Sequence, residues 1–197
     1  NEHGITSLDA LETAGRSGQL ADIKAVGPKR QEKLLRELGR FRERAARHLI
    51  GEALPLAELL VAHLRAEPQV IEVQYAGSLR RGQETIGDLD ILASSLNSDT
   101  VMEHFIAADV VDDVIGFGST KTTVLVNNGI QVDLLVVEPP EYGAALMYFT
   151  GSKDHNIEIR SRAQARGLSL NEHGILDEQT GTRHPAATEQ EIYAAIG

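Results

Sequence analysis

Cysteine is absent from all 197 residues. That excludes disulfides and thiolate metal sites, and it fits a reducing compartment. No apolar run approaches the roughly 18–20 residues that a membrane-spanning helix needs, so no membrane partner is expected. Asn1 to Ala10 is polar, so no secretory signal is expected there either. Low-complexity stretches are missing. The seven histidines are scattered without metal-ligand spacing, so a histidine-built metal centre is not expected. An excess of positive charge is also lacking. The net charge of −10 argues, taken alone, against a nucleic-acid partner.

The distribution of that charge argues the other way. Between Lys24 and Arg47 stand nine basic residues and three acids, a local +6 that leaves −16 for the rest of the chain. A solvated helix face and a polyanion-binding surface both fit that asymmetry. Apolar residues make up 42% and charged residues 24%, which is enough for a buried core in one multilobed unit or two small domains. Asn-Glu-His-Gly-Ile occurs at 1–5 and again at 171–175. The flanks differ, so this is a coincidence and not a repeat.

Thr6 or Ser7 can cap a helix running to about Gly15, and a second short helix is expected over Gly18 to Lys24. Ala25 to Pro28 reads as a tight turn. Apolar spacing at Leu34, Leu35, Leu38 and Phe41 predicts a helix from Lys29 that Gly51 breaks. Pro55 then opens another helix, with Leu56, Leu59, Leu60 and Leu64 on its apolar side. From residue 69 the pattern changes. Strands are expected at 70–76, 88–92, 110–115, 122–126 and 130–137, with a helix over 100–107. Asn127-Asn128-Gly129 is a strong hairpin signal between the last two strands. Pro139-Pro140 marks a boundary. Helices at 141–149 and 153–166, a strand at 168–171 and a helix from Thr188 complete the chain. Its abrupt start and its end on Gly197 suggest a trimmed piece.

The chemistry concentrates at two points. Gly77-Ser78-Leu79-Arg80-Arg81-Gly82 ends a strand and turns into a short helix. Such a turn lets backbone N–H groups approach a phosphate, and Ser78 and Arg81 add donors. Asp88 and Asp90 follow at i and i+2, on one face of a strand. Paired carboxylates repel, and a divalent cation relieves them. With a third carboxylate they can hold two Mg²⁺. Asp133, in the otherwise apolar run Gln131 to Leu135, is the candidate, because a lone buried carboxylate is costly. A bare Asp-x-Asp is commonly a pair of solvated edge acids. The upstream Gly-Ser and the adjacent Gly87 favour the nucleotidyltransferase pattern instead.

The stretch Gly77 to Asp90 closely resembles the family X DNA polymerases, especially their bacterial members. Tyr148-Phe149-Thr150-Gly151-Ser152-Lys153-Asp154-His155-Asn156 through Arg160 resembles the family's nucleotide-pocket segment. Gly118-Ser119-Thr120-Lys121, before the hairpin that delivers Asp133, agrees as well. The resemblance implies that Asp88 and Asp90 bind both metals and Asp133 the one that activates a primer 3′-OH, with Mg²⁺ or Mn²⁺ as the ions. Ser78 and Arg81 would hold the β and γ phosphates of a dNTP, with backbone contact from Gly77 and Gly87. Tyr148, Phe149 and Gly151 would line the sugar. Lys153 would lie over the incoming base, Asn156 would touch its minor-groove edge, and Arg160 the template strand. Lys121 would contact DNA. Ile23 to Leu34 resembles a helix-hairpin-helix motif, implying backbone contacts from Val26, Gly27, Lys29, Arg30 and Lys33 to DNA phosphates.

The fold expected from this resemblance is α+β: a nucleotidyltransferase palm with a mixed β-sheet, an N-terminal helix-hairpin-helix lobe and a C-terminal α/β lobe. The lobes would span 1–50, 51–138 and 139–197. The implied function is template-directed addition of dNTPs to primer-template or gapped DNA in repair, by a monomer in the bacterial cytoplasm at the nucleoid. A nucleotidyltransferase acting on another acceptor, or a DNA-binding scaffold with an inactive palm, remains as an alternative. The sequence departs from the family at Ser119, where Glu is frequent, at Leu135, where Arg is frequent, and at His173, where Tyr is usual. Loss of an arginine at 135 removes a partner for the metal carboxylates, so gating is expected to differ. Lyase and phosphoesterase domains, which relatives often carry, are not in this sequence, so neither activity is expected of it.

Overall fold

Ser7 accepts a hydrogen bond from the Ala10 N–H and starts the first helix, α1 (Leu8–Arg16). In the computed structural model, residues 5–20, 26–45, 47–127 and 129–197 are described, without the side chains of 9 and 40–45. The chain divides into two units, 1–46 and 47–197. Within the first, α1 packs on α2 (Pro28–Ala45). A Cβ at Gly15 would come within 2.5 Å of the Leu35 side chain, so the helices approach closely at that point. Ala14 of α1, Leu38 of α2 and Leu20 beyond α1 are buried. The helix expected over Gly18 to Lys24 and the turn residue Ala25 lie largely outside the described residues. The Gly27 carbonyl accepts the N–H groups of Arg30 and Gln31, which closes the first turn of α2.

The second unit begins differently from the sequence expectation. Helix α2 stops at Ala45, well before Gly51. The short strand β1 (His48–Leu49) follows, and then α3 (Ile50–Arg65). Gly51 and Pro55 both lie inside α3, so neither breaks nor opens it. A proline there forfeits one backbone hydrogen bond, a cost of about 3 kcal/mol. Burial of Ala53, Leu56, Ala57, Leu60, Val61 and Leu64 along one face outweighs it. β1 pairs antiparallel with β3 (Thr85–Ile86). Arg47 donates to Thr85 Oγ1 at 2.7 Å and to the Thr85 carbonyl. Arg47, the last cation of the basic run, is thereby fixed to the sheet unit and does not extend the face of α2.

Five strands form the main sheet in the order β2 (Glu72–Tyr75), β4 (Leu89–Ser94), β7 (Ile130–Val137), β6 (Lys121–Val126) and β5 (Val111–Phe117). All neighbours are antiparallel except β4 and β7, so the sheet is mixed as expected. The β6–β7 hairpin is in register, with Val126 opposite Ile130 across the Asn-Gly turn, of which Asn128 is not described. Helix α5 (Ser98–Ile106) starts two residues earlier than its apolar spacing suggests, because Asn97 caps it.

Alternation divides each central strand between two cores. Leu89, Ile91 and Ala93 with Val132, Leu134 and Val136 pack under α3 and α5. Leu92 and Val137, with Leu135 beside them, turn to the opposite face and meet Tyr142, Ala145 and Leu146 of α6 (Tyr142–Thr150). A third core joins α6 to α7 (Lys153–Gln164), β8 (Leu168–Asn171), β9 (Gly174–Asp177), Ala186 and α8 (Glu189–Ile196), while β10 (Arg183–His184), paired to β9, stays exposed. Gly143 makes that junction possible, since a Cβ there would lie 2.2 Å from the Thr188 backbone. Thr188 and Glu191 form a reciprocal capping box at the start of α8. The segments 51–138 and 139–197 thus fall within one unit.

Candidate active site

Parallel pairing of β4 with β7 places Asp90 beside Asp133 as direct register partners. Both lie on the α6 face, by the same alternation that sends Leu92 and Leu135 there. Asp88 stands just before β4 and is exposed, whereas Asp90 and Asp133 are half-buried. The Asp90 carboxyl is pushed up to about 7, first by burial and then by repulsion from Asp88 and Asp133, with Lys121 and Arg81 opposing. Gly77 lies directly behind it. At φ +56° a Cβ on Gly77 would sit 2.0 Å from Asp90 Oδ2, so only glycine leaves the carboxyl its place. The Ala76 N–H donates to the Asp90 carbonyl at 2.7 Å, tying this turn to the strand.

Helix α4 (Gly77–Arg80) follows the turn. Arg81 donates to the Thr150 carbonyl at the end of α6. A Cβ on Gly151 would be 3.4 Å from the Arg81 guanidinium, so the chain passes close to it there. Ser152 caps α7 by accepting from the His155 N–H. Between α4, the carboxylates and the α6–α7 corner lies a cavity of about 490 Å³. Gly77, Ser78, Arg81, Asp88, Asp90, Tyr148, Phe149, Gly151, Ser152, Lys153, Asn156, Ile157 and Arg160 line it. The Asn156 amide donates to the Tyr148 carbonyl at 2.7 Å, while its Oδ1 is buried without a partner, an acceptor facing an unfilled need.

Three expected residues stand apart from this cavity. Gly87 is not in its lining. Asp133 lies in an adjoining cleft of about 20 Å³ that it shares with Asp90, Lys121, Leu135 and Phe149. Lys121, expected on DNA, is paired with Asp133, Nζ to Oδ2 at 2.9 Å. Val26, Gly27, Lys29, Arg30 and Lys33 belong to the first unit. Val26 is half-buried and the other four are exposed.

Two residues escaped the sequence reading. Arg80 forms a bidentate ion pair with Glu189 of α8, both bonds at 2.7 Å, and a further bond to Thr150 Oγ1 at 2.7 Å. Arg80 therefore ties the Gly-Ser turn to the C-terminal helices, and its neighbour Arg81 alone faces the cavity. Nothing in the Arg-Arg pair foretells that division, because the partner lies 109 positions away.

The carboxylate set suits a hard divalent cation in donor type and register. Among the described residues, however, no three acidic or imidazole side chains stand grouped as a ready-made cation site. The two oxygens of Asp133 are engaged by Lys121 and Gln131. The set fits a cation after one rearrangement, the release of Asp133.

Fold and site define a class: a mixed α/β protein in which adjacent strands carry carboxylates below a Gly-Ser turn. Residues 145–197 match the family profile of the DNA polymerase beta thumb. The whole chain is 33% identical over 198 residues to the DNA polymerase/3′-5′ exonuclease PolX of Bacillus subtilis (strain 168), covering 35% of that protein. It is 28% identical over 151 residues to rat DNA polymerase lambda, 61% of this chain and 26% of the relative. It is 27% identical over 128 residues to a repair DNA polymerase X of African swine fever virus, 61% of this chain and 73% of the viral protein. In sequence the chain is thus similar to DNA polymerases of family X, in its C-terminal part and along its whole length. It spans about a third of the bacterial relative and about a quarter of the rat one.

Proposed function

We propose that this chain is the polymerising part of a repair enzyme that adds dNTPs, under template direction, to the 3′ end of a primer in gapped or primer-template DNA. The observation that carries the reading is the shared cavity: two carboxylates, Ser78 and Arg81, and the Tyr148 to Arg160 segment all open onto it. A volume of about 490 Å³ suits one nucleotide. In the reaction the primer 3′ oxygen attacks the α-phosphorus, and the bond to the pyrophosphate oxygen breaks in line with it. Asp88, Asp90 and Asp133 would hold two divalent cations, Mg²⁺ or Mn²⁺. The chemistry these supply is a lowered pKa for the attacking hydroxyl and neutralisation of phosphate charge.

The rest falls to the chain itself. Ser78 and Arg81 hold the β and γ phosphates through charge-assisted hydrogen bonds. Backbone at Gly77 and Gly87 approaches the triphosphate. Tyr148, Phe149 and Gly151 shape the sugar pocket, and Lys153 covers the base. Asn156 lies at the minor-groove edge of the incoming base, where its amide N–H group donates to the base acceptor, and Arg160 reaches the template. Lobes over 1–50, 51–138 and 139–197 would serve DNA holding, chemistry and nucleotide closure. In the first, Val26, Gly27, Lys29, Arg30 and Lys33 would grip duplex phosphates as a helix-hairpin-helix does. The protein would act as a monomer in the bacterial cytoplasm, at the nucleoid. Primer extension with each of the four dNTPs, with and without template, tests the reading. Incorporation that follows the template supports it, and transfer indifferent to template refutes it.

A further inference from the structure

Lys121 opens β6, directly across from Leu135 of β7. No acid stands opposite it, so its long side chain reaches along the diagonal to the same-face neighbour Asp133. There the ammonium lies 2.9 Å from Oδ2, while Gln131 Nε2 donates to Oδ1 at 3.1 Å. Both Asp133 oxygens are engaged, and Asp90 is its register partner on β4. A cation that takes Asp133 as a ligand has to displace one donor. The Gln131 contact is neutral and shares the strand with Asp133. The Lys121 contact brings a full positive charge to the place a cation would claim.

We propose that Lys121 is a tethered counter-ion that competes with a divalent cation for Asp133. The inference rests on the reading of Asp133 as a metal ligand. It offsets the charge of one of the two carboxylates at rest and makes divalent binding weaker than the donor set alone would give. The side chain of Lys121 is 54% exposed, so the displaced ammonium moves into water at little cost and the pair is weak. Removing it is expected to tighten divalent binding by about three- to tenfold.

The test is Mn²⁺ titration of the full chain, read by the electron paramagnetic resonance signal of free Mn²⁺, without DNA or nucleotide. Asp133→Asn should lose affinity, and Lys121→Met should gain it by the stated factor. Lys121→Arg should stay near the parent. Lys153→Met removes equal charge from the neighbouring cavity without freeing Asp133, and should change affinity less than about twofold. An unchanged or weaker affinity in Lys121→Met, with Asp133→Asn still impaired, overturns the competition and leaves the ligand reading standing. An equal gain in Lys153→Met, or one in Lys121→Arg as large as in Lys121→Met, reduces the effect to something other than this contact and also overturns it. No loss in Asp133→Asn removes the ligand reading and the inference together.

Discussion

Asp90→Asn should make the metal-free protein more stable at pH 8 while removing a residue the proposed chemistry needs. In the folded chain the Asp90 carboxyl is raised from 3.8 to about 7 by burial and by its two acidic neighbours. For an acid with a raised folded value, the native state holds a proton that the unfolded state has lost. Between those two values stability therefore falls as pH rises, and the full cost is present above the folded value. About three pH units at ~1.4 kcal/mol each set a ceiling of ~4 kcal/mol, and partial solvation brings the expectation to about 2–4 kcal/mol. Asn keeps the shape and removes the charge. Denaturant unfolding can be followed in the second unit alone, because tryptophan is absent and all four tyrosines (Tyr75, Tyr142, Tyr148, Tyr193) lie there. At pH 8 the variant should be the more stable by that amount. Near pH 4 the two should converge, since the parent carboxyl is then neutral in the folded state. Added Mg²⁺ should stabilise the parent and not the variant. A stability difference that is independent of pH, or a parent more stable at pH 8, would refute the reasoning.

Gly77→Ala places a methyl group where the Asp90 carboxyl stands and strains the backbone at φ +56°. It should cost about 1–2 kcal/mol for the left-handed backbone alone and weaken Mn²⁺ binding at least tenfold, read by the same resonance signal. Arg80→Met leaves Glu189 half-buried without its cation. It should destabilise by about 2–3 kcal/mol, and a double-mutant cycle with Glu189→Gln should return a coupling above about 1 kcal/mol in denaturant unfolding. Replacing Lys29, Arg30 and Lys33 together by Ala should lower the slope of log affinity against log salt by about 0.9 for each lost phosphate contact, measured by fluorescence anisotropy on duplex. An unchanged slope would make that cluster a solvated face. Arg160→Ala should lower kcat for correct incorporation more than it raises KM, and narrow discrimination between correct and incorrect dNTPs in single-nucleotide kinetics. Equal loss for all four dNTPs, with and without template, would separate Arg160 from template contact.

Much of the sheet was legible because its signals are local. Alternation in β4 and β7 and the Asn-Gly hairpin needed no long-range information. Capping chemistry at Thr6 or Ser7 likewise announced α1, and the structure puts the cap on Ser7. The helix break assigned to Gly51 and the helix start assigned to Pro55 came out differently, because propensity is a weak term against a continuous apolar face. Ala53, Leu56 and Ala57 bury against the sheet whatever the backbone preference of their neighbours. The two-residue strands β1 and β3 carry no period to read, and Arg47 left the basic run because Thr85 offered it two acceptors. Arg80 looked equivalent to Arg81. Only the three-dimensional position of Glu189 separates the structural arginine from the one that faces the cavity.

The placement of the acids explains how one sheet supports both a core and a charged site. On the α3–α5 face every central position of β4 and β7 is apolar and buried, which supplies the stability that a repelling carboxylate cluster consumes. On the other face α6 covers Leu92 and Val137 toward the ends of the strands, while Asp90 and Asp133 lie further back along them. Phe149 and Leu135 border both regions, contributing to the apolar packing and to the cleft around the acids. The apolar border that limits solvation of Asp90, and so raises its cost, is also what would make a bound cation's field strong where phosphate charge develops. Destabilisation of the resting site and capacity for the proposed reaction therefore have one physical origin, the half-burial of two carboxylates in register.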